Sequence, residues 1–137
     1  YNIGIAVDTL KGLIVPVIKN ADKLSIKEIN IELNRLVSSA QAGEIDIKDL
    51  QGSTFTISSL GGIGGTNFTP IVNPPEVAIL GFSKAEYKFV EHQNKMQKKL
   101  VLPISLTYDH RVIDGAEGVR FTNTYKNKLE SFLSKKK

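Results

Sequence analysis

Two stretches of this chain carry a helical period, and most of what lies around them is short β-rich runs broken by glycine, proline and polar turns. This pattern constrains the fold more than any other feature. Many strands and few helices are stably arranged when the strands build a sheet and the helices cover it. The first helical stretch opens on Ser25-Ile26-Lys27-Glu28, which has the form of a capping box. Ile26, Ile29, Leu33, Leu36, Val37 and Ala40 follow at three- to four-residue spacing, and Gly43 supplies the stop. The second begins at Asp114 and sets Phe121, Tyr125, Leu129, Phe132 and Leu133 on one face. Strands are predicted over residues 3–7 and 13–18 with a turn at 8–12, over 55–58, and over 77–81 after Pro74-Pro75. Two more, 86–90 and 100–106, are expected to be joined by a polar connector at 92–98, and a helical turn is expected at 47–50. The class is α+β, with a mixed sheet covered by helices.

At 137 residues there is room for one compact domain, and no internal repeat or long linker divides it. Cysteine is absent, which excludes disulfides, thiolate nucleophiles and Cys-based metal sites. His92 and His110 cannot by themselves form an ordinary zinc site, so no metal is expected. No run is apolar enough to span a bilayer, and no signal peptide opens the chain, so no membrane partner is expected. Much of the net charge of +4 comes from Lys135, Lys136 and Lys137 and from Lys95, Lys98 and Lys99. With no aromatic residues interleaved, these runs read as solvated faces rather than a nucleic-acid site, although a basic surface steers anions. The chain starts directly in a strand-like run, which suggests a fragment whose first part has been removed.

His110 stands at the end of an apolar strand, a rigid support from which a side chain can project into a cleft. A histidine suits proton abstraction from a thiol or hydroxyl, and equally suits a role tying down a turn. Asp114, with Glu117 three residues on, matches a helix start; a catalytic acid is the alternative, and both roles are compatible. Gly61-Gly62-Ile63-Gly64-Gly65 invites a phosphate-loop reading but lacks a following Gly-Lys-Ser/Thr, and Asn67 stands where a third glycine is needed. It reads better as backbone that turns tightly or passes close to a ligand. Ser58 and Ser59 precede it without a Gly-x-Ser-x-Gly elbow, which argues against a serine hydrolase.

Taken together, three motifs carry a family resemblance. Asp109-His110-Arg111-Val112-Ile113-Asp114-Gly115 contains His-x-x-x-Asp-Gly; Phe55-Thr56-Ile57-Ser58-Ser59-Leu60-Gly61 is a second; the run from Thr69 through Asn73-Pro74-Pro75-Glu76 to Gly81 is a third. In this order they resemble the catalytic domain of the dihydrolipoyl acyltransferases of 2-oxoacid dehydrogenase complexes, and the likeness spans essentially the whole chain.

The resemblance implies a chloramphenicol acetyltransferase-like, coenzyme A-dependent acyltransferase fold. Residues 1–137 would be the C-terminal part of the catalytic domain, without its N-terminal section or the upstream lipoyl and peripheral-subunit-binding domains. It implies acyl transfer between dihydrolipoamide and coenzyme A, with His110 as general base, Ser58 as oxyanion donor and Asp114 ordering the loop and capping the helix. Coenzyme A is then a substrate and the lipoyl group arrives on an upstream domain. A channel between subunits of a trimer would be lined by Gly62 and Phe68, with Leu80 nearby. Trimers built into a larger cage, lipoyl domains, and the decarboxylase and dihydrolipoamide dehydrogenase components are the implied partners. The motif details are most similar to the acetyl-transferring, pyruvate-complex branch, in the bacterial cytoplasm or else an organellar matrix. The alternatives are a succinyl or branched-chain acyltransferase, or a truncated, non-catalytic assembly core.

Overall fold

The computed structural model describes residues 1–92 and 94–134, apart from the side chain of His92. The N-terminal run is divided into β1 (Ile3–Ile5), β2 (Val7–Thr9), β3 (Gly12–Ile14) and β4 (Val17–Ile18). Then come α1 (Ile26–Ala42), β5 (Phe55–Ser59), β6 (Ala78–Phe82), β7 (Glu86–His92), β8 (Lys95–Val101), β9 (Ile104–Tyr108) and α2 (Gly115–Ser134). One sheet has the order β4-β1-β5-β6-β9, and β2-β3 and β7-β8 are separate hairpins. The sheet is mixed: β1, β5 and β6 run parallel, while β4 and β9 are antiparallel to their neighbours.

α1 forms where the capping box places it. Ser25 Oγ accepts from the Glu28 amide, the Glu28 carboxylate accepts from the Ser25 amide, and Gly43 closes the helix at φ 74°. Leu36 and Ala40 are its buried positions, and the 3-10 turn Ile47–Leu50 is tied back to it by Arg35 and Asp49. The core is small: Val17, Ile18, Leu36, Ala40, Ala78, Ile79 and Leu80 are buried together with Thr56.

Side chains alternate across a strand, so the register sorts the sheet into two faces. Phe55, Ala78, Leu80, Phe82, Leu106 and Tyr108 share the face that receives α2. Phe55 meets Phe121 at a ring separation of 5.8 Å and Phe82 meets Tyr125 at 5.9 Å. The other face carries Thr56, Ser58, Gly81, Ser105 and Thr107. Gly81 has no room for a side chain, because a Cβ there would lie 2.7 Å from Phe68 Cζ and 3.2 Å from Pro70 Cγ.

Several expected boundaries shift. The expected strands 3–7 and 13–18 each split, and the expected turn 8–12 narrows, because β2 and β3 pair from Val7↔Ile14 to Thr9↔Gly12. Within the expected connector at 92–98, His92 ends β7 and residues 95–98 begin β8, in a hairpin whose pairing runs from Glu86↔Val101 to His92↔Lys95. The predicted strand 100–106 is two elements, since Leu102-Pro103 divides β8 from β9; proline has no amide to donate to a ladder. Lys135, Lys136 and Lys137, expected to be a solvated tail, lie outside the described residues.

Candidate functional site

His110 is exposed and sits on a tight turn that follows β9. Asp109 builds the turn. Its carbonyl accepts from the amides of Val112 and Ile113, each at 3.0 Å, and its own amide donates to the Val77 carbonyl at 2.8 Å. Its carboxylate accepts from the Arg111 amide and pairs with the Arg111 guanidinium through Nε and Nη2. That guanidinium holds the Asp109 carboxyl well below its ordinary value, down to about 2. The Tyr108 ring lies 5.7 Å from that of His110. Backbone on one side and a bidentate ion pair on the other therefore leave the imidazole projecting from a fixed base.

Asp114 ends the same turn as the cap of α2. Its Oδ1 accepts from the Glu117 amide at 2.8 Å, and its carbonyl accepts from Gly118. Asparagine can make the same side-chain bond and alanine cannot. Asp114→Asn is therefore expected to leave stability nearly unchanged, while Asp114→Ala loses about 1 kcal/mol. Denaturant unfolding of the two variants checks this; an equal loss in both would show that the charge, and not the cap, matters.

Ser58 lies half-buried near the C-terminal end of β5, opposite Gly81. Just past it, the amides of Ile63, Gly64 and Gly65 all point at the Leu60 carbonyl, at 3.1, 3.1 and 3.2 Å. Those amides are engaged with the chain itself, so the loop is a tight turn and not a phosphate cradle. Gly62 is exposed with open space where a side chain would stand, and Phe68 is half-buried over Gly81. Leu80 is different. Within one chain it is 1% exposed on the face covered by α2, where it packs the core.

Within one chain Ser58 and His110 are not brought together. Ser58 shares its row with Gly81 and Ser105. Tyr108 lies three residues along β9 from Ser105, about 10 Å, and two strand spacings across from β5, again about 10 Å. His110 lies beyond Tyr108. The two side chains occupy opposite ends of the sheet, too far apart to touch one reacting carbonyl.

Among the described residues no group of three or more histidine, aspartate or glutamate side chains could hold a metal, and no helix is long and apolar enough to cross a membrane. Two apolar clefts of about 640 and 320 Å³ lie between α2 and the strands, and neither is lined by Ser58 or His110. Asp109, Tyr108 and Gly118 were not singled out in the sequence. The first two directly precede His110 in the chain, and the third is a glycine inside a helix, which is the signal that could have marked it.

The family model described as 2-oxoacid dehydrogenases acyltransferase (catalytic domain) matches residues 1–134. The acetyltransferase component of the pyruvate dehydrogenase complex of Haemophilus influenzae is 55% identical over 88% of the chain, which covers 21% of that protein. The Azotobacter vinelandii dihydrolipoamide acetyltransferase superposes with a TM-score of 0.87 at 52% identity, over 89% of this chain and 50% of that one. That structure addresses the catalytic role of a serine, a histidine 52 positions after it and an asparagine four further on. The cubic core of a pyruvate dehydrogenase multienzyme complex also superposes with a TM-score of 0.87, at 53% identity over 89% of this chain and 50% of that one. The chain thus spans about a fifth of the Haemophilus protein and half of each of these solved core chains.

Proposed function

The chain belongs to the 2-oxoacid dehydrogenase acyltransferase family, and on that premise we propose that it carries acetyl groups between dihydrolipoamide and coenzyme A at a site shared by two copies. The observation that carries this reading is the separation of Ser58 and His110 to opposite ends of one sheet. Two residues suited to one reaction, each well supported and out of each other's reach, are usable together when neighbouring subunits bring opposite ends into register. Their spacing supports the same reading. Ser58 and His110 stand 52 positions apart and Asp114 follows by four, as do the serine, histidine and asparagine of the Azotobacter relative. The substitution of aspartate for asparagine fits a residue whose task here is to cap α2.

His110 takes the proton of the attacking thiol, because the thiolate is the nucleophile. The new carbon–sulfur bond forms at the thioester carbonyl, and the Ser58 hydroxyl donates to the oxyanion. Collapse of the intermediate breaks the original carbon–sulfur bond, and the proton on His110 passes to the departing thiolate. No covalent enzyme intermediate is needed, in keeping with a chain that has no cysteine. Coenzyme A and the lipoyl arm are substrates. Gly62 and Phe68, in the loop that follows Ser58, are placed to contact them, and the net charge of +4 favours an anionic one. Self-association into a trimer-based core, served by lipoyl domains and the other enzymes of the complex, completes the proposal.

The test is Ser58→Ala in the complete, assembled protein. Turnover should fall by ~10²–10³ with little change in the KM for coenzyme A, since an oxyanion donor acts mainly in the transition state. A rise confined to KM would make Ser58 a substrate contact, and unchanged kinetics would remove it from the site.

A further inference from the structure

We propose that Tyr108 is a positioning residue for the reaction, a wall held by the glycine face of α2 that fixes the ring of His110. The inference rests on the reading of His110 as the base.

The Tyr108 ring has two close neighbours. One is His110, with ring centroids 5.7 Å apart and planes tilted by 41°. The other is Gly118, the buried residue of α2, where a Cβ would come within 2.8 Å of Tyr108 Cε1, 3.1 Å of Cζ and 3.3 Å of the hydroxyl. Gly115, three residues earlier on the same helical face, would bring a Cβ to 3.9 Å of that hydroxyl. The helix therefore presents bare backbone to a tyrosine. Glycine inside a helix costs stability relative to alanine, so a glycine at 118 needs a compensating contact, and Tyr108 is the contact found there.

The geometry gives the wall a direction. Tyr108 ends β9 and is held in register opposite Ala78, so its backbone belongs to the sheet. Asp114 caps α2 and fixes where that helix begins. A ring pinned between sheet and helix has little freedom, and it restricts the neighbouring imidazole, whose turn is already fixed by Asp109 and Arg111. Proton transfer needs a base held in the right orientation, and a misplacement on the order of 1 Å can cost ~10²-fold in rate. An exposed histidine without such a wall would sample other rotamers and be correctly aimed only part of the time.

The test uses the complete, assembled protein with four variants. Tyr108→Leu should lower kcat by roughly 10- to 100-fold while KM for coenzyme A and for dihydrolipoamide stays within about twofold. Tyr108→Phe keeps the ring and should retain kcat within about twofold, which separates the ring from its hydroxyl. Combining Tyr108→Leu with His110→Ala should be no slower than His110→Ala alone, because a residue acting through His110 has nothing left to position. Gly118→Ala displaces the ring without removing it and should show the same kcat loss at unchanged KM. It carries the test if the leucine variant does not assemble.

Full turnover in Tyr108→Leu or Gly118→Ala, an equal loss in Tyr108→Phe, or losses that multiply in the double variant would each overturn the proposal. The underlying reading fails separately: a His110→Ala variant with near wild-type turnover removes the base, whatever Tyr108 does.

Discussion

Replacing His110 by alanine in the complete protein is expected to lower acetyl transfer by ~10²–10⁴, the range supplied by a positioned general base. Stability should change by no more than about 0.5 kcal/mol, because His110 is exposed and the bonds that build its turn come from Asp109 and Arg111. The rate is read from the transfer of acetyl from acetyl-coenzyme A to dihydrolipoamide, and the fold from thermal unfolding and sedimentation. His92, at the end of β7 and outside all three family motifs, serves as the control. Its alanine variant should keep the wild-type rate. Comparable losses at both positions would mean that neither histidine is specifically the base, and a fully active His110→Ala would transfer the role to another group.

How far the sequence reveals such a site depends on whether the information is local. The α1 helix is legible because its start, stripe and stop are all written within it: Ser25, Glu28, the apolar spacing and Gly43. The cap of α2 by Asp114 is legible for the same reason. The β8 arm of the β7-β8 hairpin is not. Met96 and Leu100 are exposed, and lysines hold three of its other five positions, so the alternation that marks a half-buried strand is missing there. Ladder hydrogen bonds hold the hairpin instead, with Lys98 over the Tyr87 ring, and neither feature leaves a hydrophobic pattern.

The faces of β6 are only partly local. Adjacent strand residues point to opposite faces, so one step from Gly81 to Leu80 exchanges the Phe68 side for the α2 core, but which face meets which neighbour is set by the rest of the sheet. The arrangement of Ser58 and His110 is the least local of all. Each can be picked out by its motif, yet their separation follows from β9 running antiparallel to β6 while β5 runs parallel to it. No spacing along the chain encodes that.

Mixing two inactive variants should restore activity, and by a large factor. Consider Ser58→Ala, which keeps His110, and His110→Ala, which keeps Ser58. If each site takes its histidine from one subunit and its serine from the next, a head-to-tail ring assembled at random from equal amounts of both contains some intact sites. The chance that the histidine side comes from the first variant and the serine side from the second is one half times one half. Activity of the co-assembled protein should therefore reach about a quarter of wild type, against ~10⁻² or less for either variant alone. Subunit exchange is needed, so the two variants are unfolded together and refolded, and the separately refolded variants simply mixed serve as the baseline. A site contained within one chain gives the opposite result, because every chain then carries one defect and no mixing can remove it. The separation of Ser58 and His110 across the sheet favours the first outcome, since no single-chain rearrangement joins the two ends without breaking the β5-β6-β9 ladder. Co-assembled protein no more active than its baseline would sink the shared-site reading while leaving the family assignment untouched.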